Sequence, residues 1–183
     1  MERVYLGLGS NVGDRLATLR AAVDRLSAGG EISVVSASRL YETEPWEDEP
    51  GRTIGERAWH LNCVVAVETN LEPRVLLERV HAIEDALGRT RAGGTPEARR
   101  FTPRTVDIDI LFYGERVISV PDELHVPHLL LHERAFVLRP LAEVAPDLRH
   151  PTLYRTVREI LADVEDDHAV ETADFPAEWL RRE

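Results

Sequence analysis

Lysine is missing from this 183-residue chain, whose 22 basic residues are all arginine. That absence excludes a Walker-A lysine, a pyridoxal Schiff base and any lysine nucleophile. Cysteine is almost missing too. The single Cys63 can form neither an intrachain disulfide nor a thiolate metal cluster. Its parity with Leu61, Val65 and Val67 in an alternating run assigns it to the core. No apolar run reaches membrane-spanning length and no N-terminal segment has the make-up of a signal peptide, so a cytoplasmic setting is expected, with no membrane partner. Positive charge is in deficit overall. The 33 acidic residues give a formal net charge of −11, which argues against a nucleic acid as partner. Repeats and low-complexity tracts are also lacking, and the length suits one domain, 1–183, with a sizeable core.

Against that acidic background the sign inverts locally. Residues 89–104 hold five arginines (Arg89, Arg91, Arg99, Arg100 and Arg104) and one acid, Glu97. The stretch runs directly into Val106-Asp107-Ile108-Asp109-Ile110-Leu111-Phe112. Read as a strand, this places Val106, Ile108, Ile110 and Phe112 on one apolar face and both aspartates on the other. A two-residue advance of about 6.6 Å lets the carboxylates flank a pair of divalent ions about 3.5 to 4 Å apart. Arginine forks engage phosphate oxygens bidentately and stay charged at working pH. A small polyphosphate fits such a place better than a polymer does.

Periodicity gives a strand over residues 3–8, a tight glycine turn, and a helix from about Asp14 that ends at Gly29-Gly30. Strands are expected over residues 31–43 and 60–69, separated by an acidic loop over residues 44–57. Pro73 opens a second helix that Gly88 closes, and the Asp-x-Asp strand follows. The expected class is α+β, with a ferredoxin-like βαββαβ core, a mainly antiparallel sheet and helices packed on it. Additional C-terminal elements are a short strand near residues 116–119 and helices near 133–143 and 155–164. The core is expected over about 3–165, and residues 166–183 read as a loosely ordered tail.

Four blocks carry a family resemblance: Tyr5-Leu6-Gly7-Leu8-Gly9-Ser10-Asn11-Val12-Gly13-Asp14-Arg15, Ser38-Arg39-Leu40-Tyr41-Glu42-Thr43-Glu44-Pro45, Leu61-Asn62-Cys63-Val64-Val65, and Pro103-Arg104-Thr105-Val106-Asp107-Ile108-Asp109-Ile110-Leu111. Pro127-His128, residues 134–138 and residues 140–146 extend it. The chain resembles the hydroxymethyl-dihydropterin pyrophosphokinases of folate biosynthesis. The resemblance implies transfer of pyrophosphate from ATP to the hydroxymethyl of a reduced pterin, with release of AMP and two Mg²⁺ ions on Asp107 and Asp109. It makes Arg89 and Arg104 catalytic alongside them. It places ATP near His81, Glu84, Arg91, Arg100, Ile110, Leu124, His125, His128 and Arg134. The pterin would meet Phe136 and His60 as stacking faces, Asn62 at its edge, Thr43 with its neighbours Glu44 and Trp46, and Phe101 on a closing loop. A monomer is expected.

The chain departs from the family pattern at His60, where a larger aromatic ring is usual, at His81, Glu47 and Thr102, and in the length of the loop over residues 92–98. A zinc reading of His125, His128 and His132 matches no motif of known mechanism. Two other functions remain open on the residues alone. One is a different metal-dependent phospho- or nucleotidyltransferase on the same acid pair. The other is a noncatalytic metabolite-binding module, which would need no acid pair beside clustered arginines.

Overall fold

The computed structural model describes residues 1–46, 59–88 and 105–180. The first strand, β1 (Glu2–Ser10), buries alternate residues from Val4 onward, as a strand packed on one side does. Gly13 then adopts φ 66°, in the left-handed region where a Cβ is costly. Asp14 caps α1 (Arg15–Ser27) by accepting from Ala17 N at 2.9 Å, which satisfies one orphan donor of the first turn. The strand expected over residues 31–43 is two strands, β2 (Ile32–Ala37) and β3 (Tyr41–Thr43). Both pair with β4 (His60–Thr69), so together they form one interrupted strand beside it. The register slips between Val34 and Ser36, and Ser38 fills the break by donating N–H to Val64 O (2.9 Å) and accepting at Oγ from Val64 N (3.0 Å). Such insertions re-aim the side chains that follow.

Pro73 sits in the first turn of α2 (Pro73–Ala86), where its missing N–H costs nothing. The acid-bearing strand is β5 (Asp107–Tyr113). A hairpin of β6 (Ile118–Val120) and β7 (Leu124–Val126) follows, in place of the one short strand expected near residues 116–119. The helices α3 (Ala135–Val144) and α4 (Val157–Asp163) come next. Thr156 and Glu159 close a reciprocal capping box at the start of α4.

The sheet runs β5-β1-β4-β3 with β2 beside β4, and each of these pairs is antiparallel. This is the ferredoxin-like arrangement. One face is covered by α1 and α2. There Val4, Leu6, Leu8, Leu61, Cys63, Val65, Val67, Ile108 and Ile110 meet Leu19, Leu26, Leu76 and Val80 in one buried cluster. Each such aliphatic side chain stabilises the fold by roughly 1.5–3 kcal/mol, and Cys63 is in the core as its parity required. The opposite face meets α3 and α4 through Val64, Leu111, Phe112, Leu138, Leu141, Val157 and Ile160.

Two expectations are corrected. Phe112 does not share the face of Ile108 and Ile110. Tyr5 stands opposite Phe112 while Leu6 stands opposite Ile110, so Leu111 is an extra residue and the side-chain parity reverses. Phe112 thus joins the α3/α4 cluster, and Tyr113 takes the α1/α2 side. Nor do residues 167–180 form a loose tail. A last strand, β8 (Val170–Thr172), pairs with β3, and Trp179 is 1% exposed. Among the described residues no helix is long and apolar enough to cross a membrane.

Candidate active site

Strand pairing sets out the site in rows. Asp107 stands opposite Gly9, Gly9 opposite Asn62, and Asn62 opposite Tyr41; one row along, Asp109 stands opposite Gly7. Both aspartates are half-buried, while Ile108 between them is in the core. The acid pair therefore lies on the face not covered by α1 and α2, over a floor that carries no side chains. Gly9 is the tight position: a Cβ there would collide with Asn62 Oδ1, whereas one at Gly7 would meet the Leu111 side chain at 3.4 Å, an ordinary contact.

Asn62 donates through Nδ2 to Thr43 Oγ1 (2.7 Å), and Thr43 is 1% exposed. That bond fixes the amide plane and directs Oδ1 toward Gly9. Gly9→Ala is accordingly expected to destabilise the fold by about 1–3 kcal/mol, the usual range for overpacking, and to raise the KM for the substrate expected at Asn62. Urea titration with parallel kinetics would check it; a neutral result in both would mean that Asn62 can move freely.

The remaining sequence-derived candidates fall into distinct places. His60 pairs with Thr43 and shares the face of Asn62. Glu44 leads out of β3, with its N–H bonded to Ala169 O (3.1 Å) and its Oε2 accepting from Ala169 N (2.8 Å). The Arg134 guanidinium carbon lies 4.6 Å from the Trp46 ring centre and 5.7 Å from that of Phe136. These cation–π distances hold a planar cation beside two aromatic rings. His125 Nδ1 is 3.3 Å from Ser119 Oγ within the hairpin. Ile110 and Leu124 belong to the α1/α2 core. His81 lies half-buried on α2. Glu84, also on α2, is 1% exposed and accepts from Ile108 N through Oε1 (2.8 Å). Its carboxylate secures the outer edge of β5 between the two acids. Arg89, Arg91, Arg100, Phe101 and Arg104 lie outside the described residues, as do Glu47, Thr102 and the loop over residues 92–98.

His128 donates its N–H to Leu111 O (3.1 Å). Burial, followed by the nearby charges of Arg134 and His125, pushes its imidazole down to about 4 against the opposing pull of Asp107. The ring is therefore neutral at working pH; its Nδ1 accepts from Leu130 N (3.4 Å), which leaves the Nε2–H to offer as a donor. Because the folded value lies below the ordinary 6.5, the unfolded chain takes up this proton first as pH falls. Stability is full above about 6.5 and declines toward about 4, by up to ~1.4 kcal/mol per pH unit for one group. Burial also lowers the value for His150, which adds to the same decline. Urea midpoints of the metal-free chain between pH 7.5 and 5 should show this slope, and His128→Gln should flatten it. An unchanged slope in that variant would remove His128 as its source.

Sequence reasoning missed two groups. Tyr41 OH donates to Glu143 Oε1 (2.6 Å), and Arg39 bonds the same carboxylate through N (2.8 Å) and Nε (2.7 Å), which ties β3 to α3. Burial and then the bond to Glu143 push the Tyr41 phenol up to about 12. The other group is Asp166 with His168, whose ring Nδ1 lies 2.6 Å from Asp166 Oδ1. Asp166 was concealed among the acids of residues 163–167, and no periodicity marks it.

Two hard oxygen donors on one strand face, beside a neutral imidazole and a guanidinium, form a set that suits an enzyme moving phosphoryl groups between small molecules. The comparisons narrow that class. Residues 5–146 match the model of the family described as 7,8-dihydro-6-hydroxymethylpterin-pyrophosphokinase (HPPK), and the chain belongs to that family. It is 47% identical over 165 residues to the 2-amino-4-hydroxy-6-hydroxymethyldihydropteridine pyrophosphokinase of Methylorubrum extorquens, covering 90% of this chain and 95% of that one. The enzyme of the same name from Bacillus subtilis is 42% identical over 142 residues, 76% of each chain. In fold it is similar to wild-type HPPK-DHPS of Plasmodium falciparum, with a TM-score of 0.60 at 15% identity over 88% of this chain. The chain spans 44% of that longer protein.

Proposed function

We propose that the chain transfers the terminal pyrophosphoryl group of ATP to the hydroxymethyl group of a reduced pterin and releases AMP, and that residues 1–183 act as one cytoplasmic, monomeric pyrophosphokinase domain. The observation that carries this reading is the row Asp107, Gly9, Asn62. It brings the Asp107 carboxylate and the Asn62 amide, bonded to Thr43, into one row on the sheet face that α1 and α2 leave uncovered, an arrangement that supports metal and pterin binding there. In the transfer the pterin hydroxyl oxygen bonds to the β-phosphorus, and the bond from that phosphorus to the α–β bridging oxygen breaks. AMP leaves with the bridging oxygen, and the hydroxyl proton passes to solvent.

Asp107 and Asp109 fit Mg²⁺, which takes one or two carboxylates and fills its other positions with water and phosphate oxygens. Bound there, two such ions would neutralise the triphosphate and acidify the attacking hydroxyl. The chain's own groups would do the rest. Asn62 reads the amide-like edge of the pterin, Phe136 takes one ring face, and His60 or Trp46 bounds the other. Neutral His128 and Arg134 contact the nucleotide phosphates, and Arg89, Arg91, Arg100 and Arg104 would surround the transferred group.

Incubation of the purified chain with ATP, Mg²⁺ and hydroxymethyl-dihydropterin, with the nucleotides resolved by chromatography, tests the reading. Pterin-dependent AMP without ADP is expected. Free pyrophosphate with a nucleotidylated pterin would replace it with nucleotidyl transfer, and pterin binding without turnover would replace it with a binding module.

A further inference from the structure

The segment after residue 146 lies beyond the span matched by the family model, yet it joins the two places expected to hold the pterin. At one end it meets β3, where Ala169 and Glu44 exchange the two bonds described above. At the other it meets the start of α3. The Asp166 side chain, 2% exposed, accepts from Ala135 N through Oδ2 (2.8 Å). Through Oδ1 it accepts from His168 N (3.1 Å) and faces His168 Nδ1. A buried carboxylate is costly unless it is hydrogen-bonded, and the N–H groups at a helix start need acceptors. Each here meets the need of the other.

The consequence falls on aromatic rings. Ala135 separates Arg134 from Phe136, so the bond to Asp166 sets where α3 presents Phe136. The His168 ring stands 6.4 Å from Trp46 at an interplanar angle of 35°, and the Arg134 guanidinium lies over both Trp46 and Phe136. A flat, hydrogen-bonding group of guanidine type is thus what these two rings already face. The 2-amino-4-oxo edge of a pterin has the same chemistry.

We propose that Asp166 and His168 are positioning residues for pterin binding: Asp166 anchors the helix end that carries Phe136, and His168 backs Trp46, so that the two aromatic side chains hold the spacing the pterin needs. Neither residue touches substrate. The proposal rests on the placement above in which the pterin lies against Phe136 with Trp46, rather than His60, bounding its other face.

Steady-state kinetics of the full chain, with ATP and pterin varied separately and thermal midpoints in parallel, test it. His168→Ala is expected to raise the pterin KM about tenfold, the upper range for one ring contact, and to leave the ATP KM within about twofold. His168→Phe, which keeps a ring behind Trp46, should restore most of the loss. Asp166→Asn retains an acceptor for Ala135 N and should raise the pterin KM less than Asp166→Leu; if the leucine variant does not fold, the asparagine and His168 variants decide. Equal losses in His168→Ala and His168→Phe, a parallel rise in both KM values, or a lowered thermal midpoint with unchanged KM would overturn the proposal. Phe136→Ala separates the two levels. If it raises the pterin KM while His168→Ala does not, the positioning role alone fails. If Phe136→Ala also leaves the pterin KM unchanged, the pterin placement fails and the proposal falls with it.

Discussion

Asp109→Ala and Asp107→Ala are each expected to lower kcat for pyrophosphoryl transfer by at least about 10³-fold, the scale seen when a preorganised charge-stabilising group is lost, while the chain remains folded. Rate and stability separate for a geometric reason. Both side chains emerge from β5 half-buried onto a floor of glycines, so their removal opens no apolar cavity. Ile108 and Ile110, which hold the strand, point to the opposite face. The stability change should therefore stay within about 0.5–1 kcal/mol. Asp→Asn at the same positions keeps the volume and removes the charge, and should cost nearly as much in rate. Circular dichroism and thermal midpoints alongside single-turnover assays would check the pair. Turnover above about a tenth of wild type in either alanine variant would take the acid pair out of the mechanism.

This prediction could be framed from the chain alone because alternation on a strand is a strong local rule: Asp107 and Asp109 had to share a face once β5 was recognised. The rule holds only until an extra residue intervenes. Leu111 is such a residue, and one step later Phe112 crosses to the α3/α4 side. Bulges depend on the partner strand, and nothing in Ile110-Leu111-Phe112 distinguishes a bulge from regular alternation. The break at Ser38 is of the same kind, since it is completed by Val64. Helix starts were legible for the opposite reason. Asp14 and Pro73 act within their own turn, so their signal is contained in a few consecutive residues. The candidate site divides along the same line. Asn62 and the acid pair lie on well-patterned strands. Asp166 does its work at Ala135, 31 residues away in sequence, and only the tertiary structure brings the two together.

Trp179→Ala is expected to destabilise the chain by about 3–5 kcal/mol, the range for removing a fully buried large aromatic. The indole is 1% exposed within the α1/α2 cluster, and its Nε1–H donates to Ser38 O (2.8 Å). Truncation would empty that volume and leave a buried carbonyl without its donor, a separate cost of about 1–3 kcal/mol when no water replaces it. Arg20 Nε also donates to Trp179 O (2.7 Å), so α1 and the strand break at Ser38 both grip this residue. Trp179→Phe should lose less, because it keeps most of the apolar volume and forfeits only the hydrogen bond and the second ring. The urea midpoint should fall with little change in slope if the whole fold unfolds together. A loss below about 1 kcal/mol, or a separate early transition, would mean that the C-terminal segment detaches on its own. In that case β8 would not be fixed ground for Asp166 and His168, and the spacing between Trp46 and Phe136 would have to be held from within residues 1–146.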